Sequence, residues 1–236
     1  MDRFIIIDKL IKKVAKEVLV GDIFSTVNTP SVLFLHGGGI TSSRKNFIQV
    51  RKALFYKGLS SISFDFSGHG DSSSNEVGSL SKRFHEASSW LSLLNKNKNF
   101  CILGYSMAAE IAIRLTASIE NRFIHLILVV GALYSKDSFS VPFGNGFSSI
   151  IRVQDSWKKS ESLKIIENFK GNLTVISAEH DEVIPRELHR MIIERAKYCK
   201  SVKHIIIPGI GHKISEECRK DKIFESKVIS MLLNLI

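Results

Sequence analysis

The sequence predicts an α/β fold, a doubly wound and mostly parallel sheet with helices on both faces. Two observations carry that expectation. Short β-rich apolar runs recur along the chain with helix-period patterns between them. The 236 residues, 44% hydrophobic and 24% charged, also suit one large core. One domain over residues 1–236 is therefore expected, with a small flap inserted at about 131–172 in place of a large cap.

Six runs are expected as buried strands: Val32–Leu35, Ile62–Phe66, Phe100–Leu103, Ile124–Val130, Leu173–Ser177 and Ile205–Ile207. Between them, Phe47, Val50 and Leu54 mark one helix face, Leu80, Phe84, Ala87, Leu91 and Leu94 a second, and Met107, Ile111 and Leu115 a third. Further helices are expected from Leu188 to Ala196 and at the carboxyl end, where Phe224, Val228, Met231 and Leu235 repeat. The segment Glu17 to Val27 reads as one or two antiparallel edge strands. Residues 131–172 break the alternation: Pro142 to Phe147 favours a turn, and a helix is expected from Asp155 to Phe169. Ligands of open α/β sheets sit at the carboxyl ends of the strands, so an insertion after one strand is well placed to wall a pocket.

Composition excludes a disordered tail, a fibre and a disulfide scaffold. The longest apolar stretch, 126–133, is far short of the ~20 residues that span a bilayer. The first eight residues place acids on both sides of four apolar residues and lack a secretory h-region, so a cytoplasmic location is expected. Cys101, Cys199 and Cys218 have no CxxC spacing and read as reduced thiols. The net charge of +10 is spread along the chain. Its dense patch, Lys9, Lys12, Lys13 and Lys16, would share one face if that segment were helical. A solvated face is the plainer reading, and without aromatic interleaving or a zinc-finger pattern no nucleic-acid partner is expected.

The chemistry-bearing residues fall just after the expected strands. Gly104-Tyr105-Ser106-Met107-Ala108 joins a strand to a helix, the context that a nucleophile elbow requires, with Ser106 at the tip. Gly104 supplies the small flanking residue, and Ala108 stands where G-x-S-x-G has its second glycine. A serine hydroxyl needs a base and an orienting carboxylate. Glu179-His180-Asp181-Glu182 and Gly209-Ile210-Gly211-His212 follow the next two strands and supply both, in the order Ser, Asp, His. His36-Gly37-Gly38-Gly39 follows the Val32–Leu35 strand, and its glycines let backbone N–H groups approach an anionic oxygen. The Gly38 and Met107 N–H groups are the expected oxyanion hole.

With Asp65-Phe66-Ser67-Gly68-His69-Gly70-Asp71-Ser72 added, these five motifs in order make the sequence resemble the α/β-hydrolase superfamily, in its serine esterase, lipase and thioesterase-like branch, over about residues 30–215. The resemblance implies a triad with Ser106 as nucleophile, His212 as general base and acid, and Asp181 as the carboxylate orienting His212. Glu179 and Glu182 compete for the last role, and the family's spacing to Pro185 favours Asp181. A serine at the elbow argues against the dehalogenase and epoxide-hydrolase chemistry of the superfamily, which needs an aspartate there.

His36 is expected to anchor its loop and Asp65 to fix its own. His69 and Asp71 lack partners at ligand spacing, so no metal and no cofactor are expected. Ile40, Phe143, Phe147 and Trp157 are candidate pocket walls, each with core packing as the competing explanation. The expected activity is hydrolysis of a carboxylic ester, of small or medium acyl group, through an acyl-serine. A thioesterase or acyltransferase would use the same triad, and the basic balance would suit an acidic carrier protein as thioester donor. The reading from another class is a binding protein on the hydrolase fold without turnover.

Overall fold

The computed structural model describes residues 6–25, 29–94, 100–119 and 124–236. Residues 1–5, which carry most of the leader reading, and residues 26 and 27 of the edge-strand segment lie outside them. In chain order the elements are β1 (Ile6–Val14), β2 (Glu17–Ser25), β3 (Val32–Leu35), α1 (Ile48–Tyr56), β4 (Ser61–Phe64), α2 (Leu80–Trp90), β5 (Phe100–Tyr105), α3 (Ala108–Ala117) and β6 (Ile124–Val129). Then come α4 (Asn145–Ile151), α5 (Ser162–Asn168), β7 (Asn172–Ala178), α6 (Arg186–Arg195), β8 (Ser201–Ile207), α7 (Ile214–Lys220) and α8 (Lys222–Leu233).

All eight strands join one sheet in the order β1-β2-β4-β3-β5-β6-β7-β8, in which β1 with β2 and β2 with β4 are antiparallel and the rest parallel. The expected doubly wound sheet is thus present. Its central strands are buried on both faces, as parallel strands under crossover helices must be. One apolar layer packs α2, α3, α5 and α6 on one face, and a second packs α1, α7 and α8 on the other. Side-chain caps start two of the helices: the Ser79 side chain accepts the Lys82 N–H at 3.0 Å before α2, and Asp221 accepts the N–H groups of Ile223 and Phe224 before α8.

Two expectations are corrected, and the condition set for the lysine patch is not met. The lysine patch is not helical: β1 is an edge strand, so Lys9 and Lys13 point to one face and Lys12 to the other. Lys12 donates to the Ser89 carbonyl and lies over the Trp90 ring, while Lys16 pairs with Glu76 at 2.8 Å. The segment Asp155–Phe169 is not one helix. Asp155 takes φ +58°, which a right-handed helix cannot contain, and a 3-10 turn at Ser156–Lys159 ends at Ser160 before α5 begins. The Ser160 hydroxyl, which accepts the Ser162 N–H at 3.0 Å, also donates to Glu110, so a tertiary bond sets the break. Finally, the turn at Pro142 stops at Gly144, and Asn145 onward forms α4.

The 131–172 segment is anchored to the sheet's helices by polar contacts. Glu110 of α3, fully buried, accepts from Arg114 Nε at 2.8 Å, the Ser160 hydroxyl at 2.9 Å and the Tyr134 N–H at 3.2 Å. At the other end the Phe143 N–H donates to the Gly78 carbonyl at 2.7 Å and the Ser81 N–H to the Phe139 carbonyl at 2.8 Å. Among the described residues, no helix is long and apolar enough to cross a membrane.

Candidate active site

The parallel register aligns the carboxyl ends of β3, β5, β6, β7 and β8, so the loops that leave them meet at one edge of the sheet. Ser106 follows β5 directly and takes φ +52°, a strained conformation for a residue with a side chain. Three backbone bonds hold it, from its own N–H to the Val129 carbonyl at 2.9 Å and to its carbonyl from the Ala109 N–H at 3.0 Å and the Ala132 N–H at 3.1 Å. The turn is tight enough that a Cβ on Gly104 would sit 2.6 Å from the Ala108 carbonyl oxygen, whereas Ala108 itself is absorbed in the core. Glycine is therefore obligatory before the serine, and alanine suffices after it.

The structure brings Ser106, His212 and Asp181 together in one hydrogen-bonded row. Ser106 Oγ lies 2.9 Å from His212 Nε2, and His212 Nδ1 lies 2.9 Å from Asp181 Oδ2 and 3.2 Å from Oδ1. A carboxylate can only accept, so Nδ1 carries the ring proton and Nε2 is left to accept from the serine. Burial alone would raise the Asp181 carboxyl. The His212 ring and the N–H groups of Ile184 and Val183, both 2.9 Å away, outweigh it and hold the group below its ordinary value. The competing acids fall elsewhere: Glu182 is exposed, and Glu179 accepts the Gly209 N–H at 2.7 Å, tying down the loop that carries His212.

The glycine loop lies against the elbow. A Cβ on Gly37 would come 3.3 Å from Ser106 Cβ, and one on Gly38 would come 2.9 Å from Met107 Sδ. Met107 precedes the first turn of α3, where backbone N–H groups have no partner within the helix. His36 behaves as expected of a loop anchor. Its Nε2 accepts the Phe66 N–H at 3.0 Å and its Nδ1 donates to the Gly37 carbonyl at 2.8 Å, and burial with Arg83 and His69 nearby keeps the ring neutral. Asp65, also buried, accepts the backbone N–H of Arg44 at 2.7 Å and of Asp71 at 2.9 Å and pairs with the Arg44 guanidinium. His69 Nδ1 contacts the Ser42 carbonyl at 3.1 Å.

The four candidate wall residues separate. Trp157 lines a cavity of about 470 Å³ together with Leu133, Tyr134, Val183, Ile184 and Leu188, between the 131–172 segment and the Asp181 loop. Ile40 is 97% exposed and reaches solvent. Phe147 is buried in the core, where Phe143 meets it edge to face at 4.9 Å. Sequence patterning sees apolar residues near a site but not which way each points.

Several supporting residues escaped the sequence reading. The Tyr105 hydroxyl donates to the His212 carbonyl at 3.0 Å. His189 sits buried behind the row: its Nε2 donates to the Gly131 carbonyl at 3.1 Å, its Nδ1 takes the Ser177 hydroxyl at 2.9 Å, and burial lowers it to about 4. Val130, a β-branched residue at φ +43°, carries strain beside the elbow. Arg83 is buried against the glycine loop. A signal for it existed: Leu80, Arg83 and Ala87 share a helical face, so a charge stands on an apolar stripe.

Known proteins show the same architecture. An esterase of Pyrococcus furiosus superposes with TM-score 0.73 at 18% identity over 98% of this chain and 90% of that one. A thioesterase domain from the curacin biosynthetic pathway gives 0.71 at 16% identity, over 97% and 99%. In sequence, the chain is 28% identical over 172 residues to a Mycoplasma pneumoniae protein named as an esterase/lipase. That match spans 70% of this chain and 61% of the relative's length. The model of the α/β hydrolase fold matches residues 30–147, half of the chain, from the glycine loop through the elbow and on to Phe147. On that match the chain belongs to the α/β-hydrolase family, with esterases and lipases among its relatives.

Proposed function

We propose that the protein is a serine hydrolase that cleaves a carboxylic ester through an acyl-serine, using Ser106, His212 and Asp181. The observation that carries this is the row itself: nucleophile to base at 2.9 Å and base to carboxylate at 2.9 Å, at a strained turn beside a glycine loop. His212 Nε2 takes the Ser106 proton as Oγ bonds to the ester carbon. The carbonyl oxygen becomes an oxyanion facing the Gly38 and Met107 N–H groups and the positive end of α3. Collapse breaks the bond to the alcohol oxygen, which leaves with the proton from His212. Water then attacks the acyl-serine by the same proton transfers, releasing the acid and restoring Ser106. Asp181 keeps the proton on His212 Nδ1 and stabilises the imidazolium.

The 470 Å³ cavity is walled by Leu133, Trp157 and Ile184 and by no residue of the triad; its volume is that of a small-molecule site, and its place next to the Asp181 loop makes it the candidate for a small or medium acyl group. A sulfur ester would pass through the same acyl-serine, and the likeness to a thioesterase domain keeps that leaving group in view. Labelling with a fluorescent fluorophosphonate tests the central claim. Wild type should label, while Ser106→Ala and His212→Ala, folded by circular dichroism, should not. A folded wild type that stays unlabelled would leave the binding-protein reading in its place. Rates on matched oxygen and sulfur esters, with and without an added alcohol, then distinguish esterase, thioesterase and acyltransferase.

A further inference from the structure

Three glycines in a row admit an oxyanion but do not fix the direction of the peptide between Gly37 and Gly38, since glycine backbone turns over at little steric cost. That peptide is one planar unit, with the Gly37 carbonyl at one end and the Gly38 N–H pointing the opposite way. Whatever holds the carbonyl therefore aims the N–H. Two donors hold it: His36 Nδ1 at 2.8 Å and Arg83 Nη1 at 3.3 Å.

Arg83 is itself placed by its surroundings. It is 3% exposed, lies 4.9 Å from the Phe66 ring centre and 5.1 Å from that of Phe143, and donates through Nη2 to His69 Nε2. His69 Nε2 must accept from the guanidinium, so its proton is on Nδ1, which donates to the Ser42 carbonyl. Glu86, one turn along α2, accepts the Ser67 N–H at 3.1 Å and makes no ion pair with Arg83 among the described contacts. The Glu86 charge acts on the guanidinium through space, but the hydrogen bonds of Arg83 go to a carbonyl and an imidazole, both neutral. The Phe143 contact adds that the inserted segment closes over it.

We propose that Arg83 is a positioning residue for the oxyanion hole: by holding the Gly37 carbonyl on the side away from Ser106, it keeps the Gly38 N–H turned toward the reacting carbonyl. The inference rests on the serine-hydrolase reading for its effect on rate. Its effect on the peptide does not depend on that reading.

The test uses Arg83→Met, which keeps volume between the two rings and removes the donors, with Arg83→Gln as the second variant should the first misfold. Hydrolysis of p-nitrophenyl butyrate should lose about 10- to 100-fold in kcat with KM within about twofold, because the lost contact acts on the transition state. The Ki of a trifluoromethyl ketone, which forms an oxyanion on the serine, should rise by a similar factor. In protein labelled with ¹⁵N-glycine, the Gly38 amide resonance, assigned by its loss in Gly38→Ala, should move while that of the exposed Gly146 stays. A folded variant with unchanged kcat, or an unmoved Gly38 resonance, overturns the proposal. Wild type without Ser106-dependent turnover would instead defeat the hydrolase reading, and the Gly38 resonance would still decide the role of Arg83.

Discussion

At the residue scale, three acids compete for one role, and direction rather than proximity in sequence selects among them. Asp181 turns inward because its Oδ1 closes a tight turn on the N–H groups of Val183 and Ile184, which leaves Oδ2 facing His212. Asp181→Asn keeps the shape but offers an amide N–H that favours the wrong ring tautomer, so kcat should fall about 10³- to 10⁴-fold with little change in KM. Glu182→Gln should stay within about twofold in the same assay, since a surface substitution away from the row changes little. Equal losses in the two variants would remove Asp181 from the role. The motif spacing already favoured Asp181; the inward turn is a tertiary fact. Arg83 shows the opposite case, a residue whose partners come from three separate loops and whose task no local pattern announces.

At the element scale, the β1-β2 hairpin depends on one carboxylate. Glu17 is buried at its turn and accepts from Lys82 Nζ at 2.7 Å, the Ser73 hydroxyl, and the N–H groups of Asn75 at 3.1 Å and Glu76 at 2.9 Å. Burial raises this carboxyl, but those donors win and bring it down to about 2. The folded state thus binds its proton less readily than the unfolded chain. The stability gained is present above about pH 4.5 and is lost as pH falls toward 2. Thermal melts should show Glu17→Gln below wild type at pH 7, with the gap closing between pH 5 and pH 2. A gap that does not change with pH would mean that Glu17 acts by shape alone. Sequence left this hairpin poorly defined because β1 is an edge strand with Ile7 and Ile11 exposed, so its pattern carries no clean alternation.

At the scale of the whole molecule, the 131–172 segment and the sheet's helix α3 are coupled through Glu110. Its two oxygens serve Arg114 on its own helix and Ser160 and Tyr134 on that segment. Glu110→Ala takes an acceptor from the half-buried Arg114, which keeps Glu161, and strands the Ser160 hydroxyl and the Tyr134 N–H, so unfolding in urea should show a loss of about 1–3 kcal/mol. If Trp157 and Tyr134 wall the acyl site, KM for longer acyl esters should also rise, since Trp157 lies in the turn that Ser160 ends and the Tyr134 N–H bonds to Glu110 directly. An unchanged urea midpoint would show that the apolar contacts of α5 with α3 and α6 suffice to seat the segment.

The sequence by itself determined the alternation of strands and helices, the position of the elbow, and the order of serine, acid and histidine, because period, glycine placement and chain order are local properties. It left the segment of the first lysines unassigned and misjudged the 155–169 helix, because a strand at the sheet's edge and a break made by a buried glutamate are set by what lies across space. Only the tertiary structure decided that Asp181 rather than its neighbours faces His212, that Trp157 lines a cavity while Phe147 fills the core, and that Arg83 reaches the glycine loop. Each of these is a matter of direction, and direction is fixed by packing between elements distant in the chain.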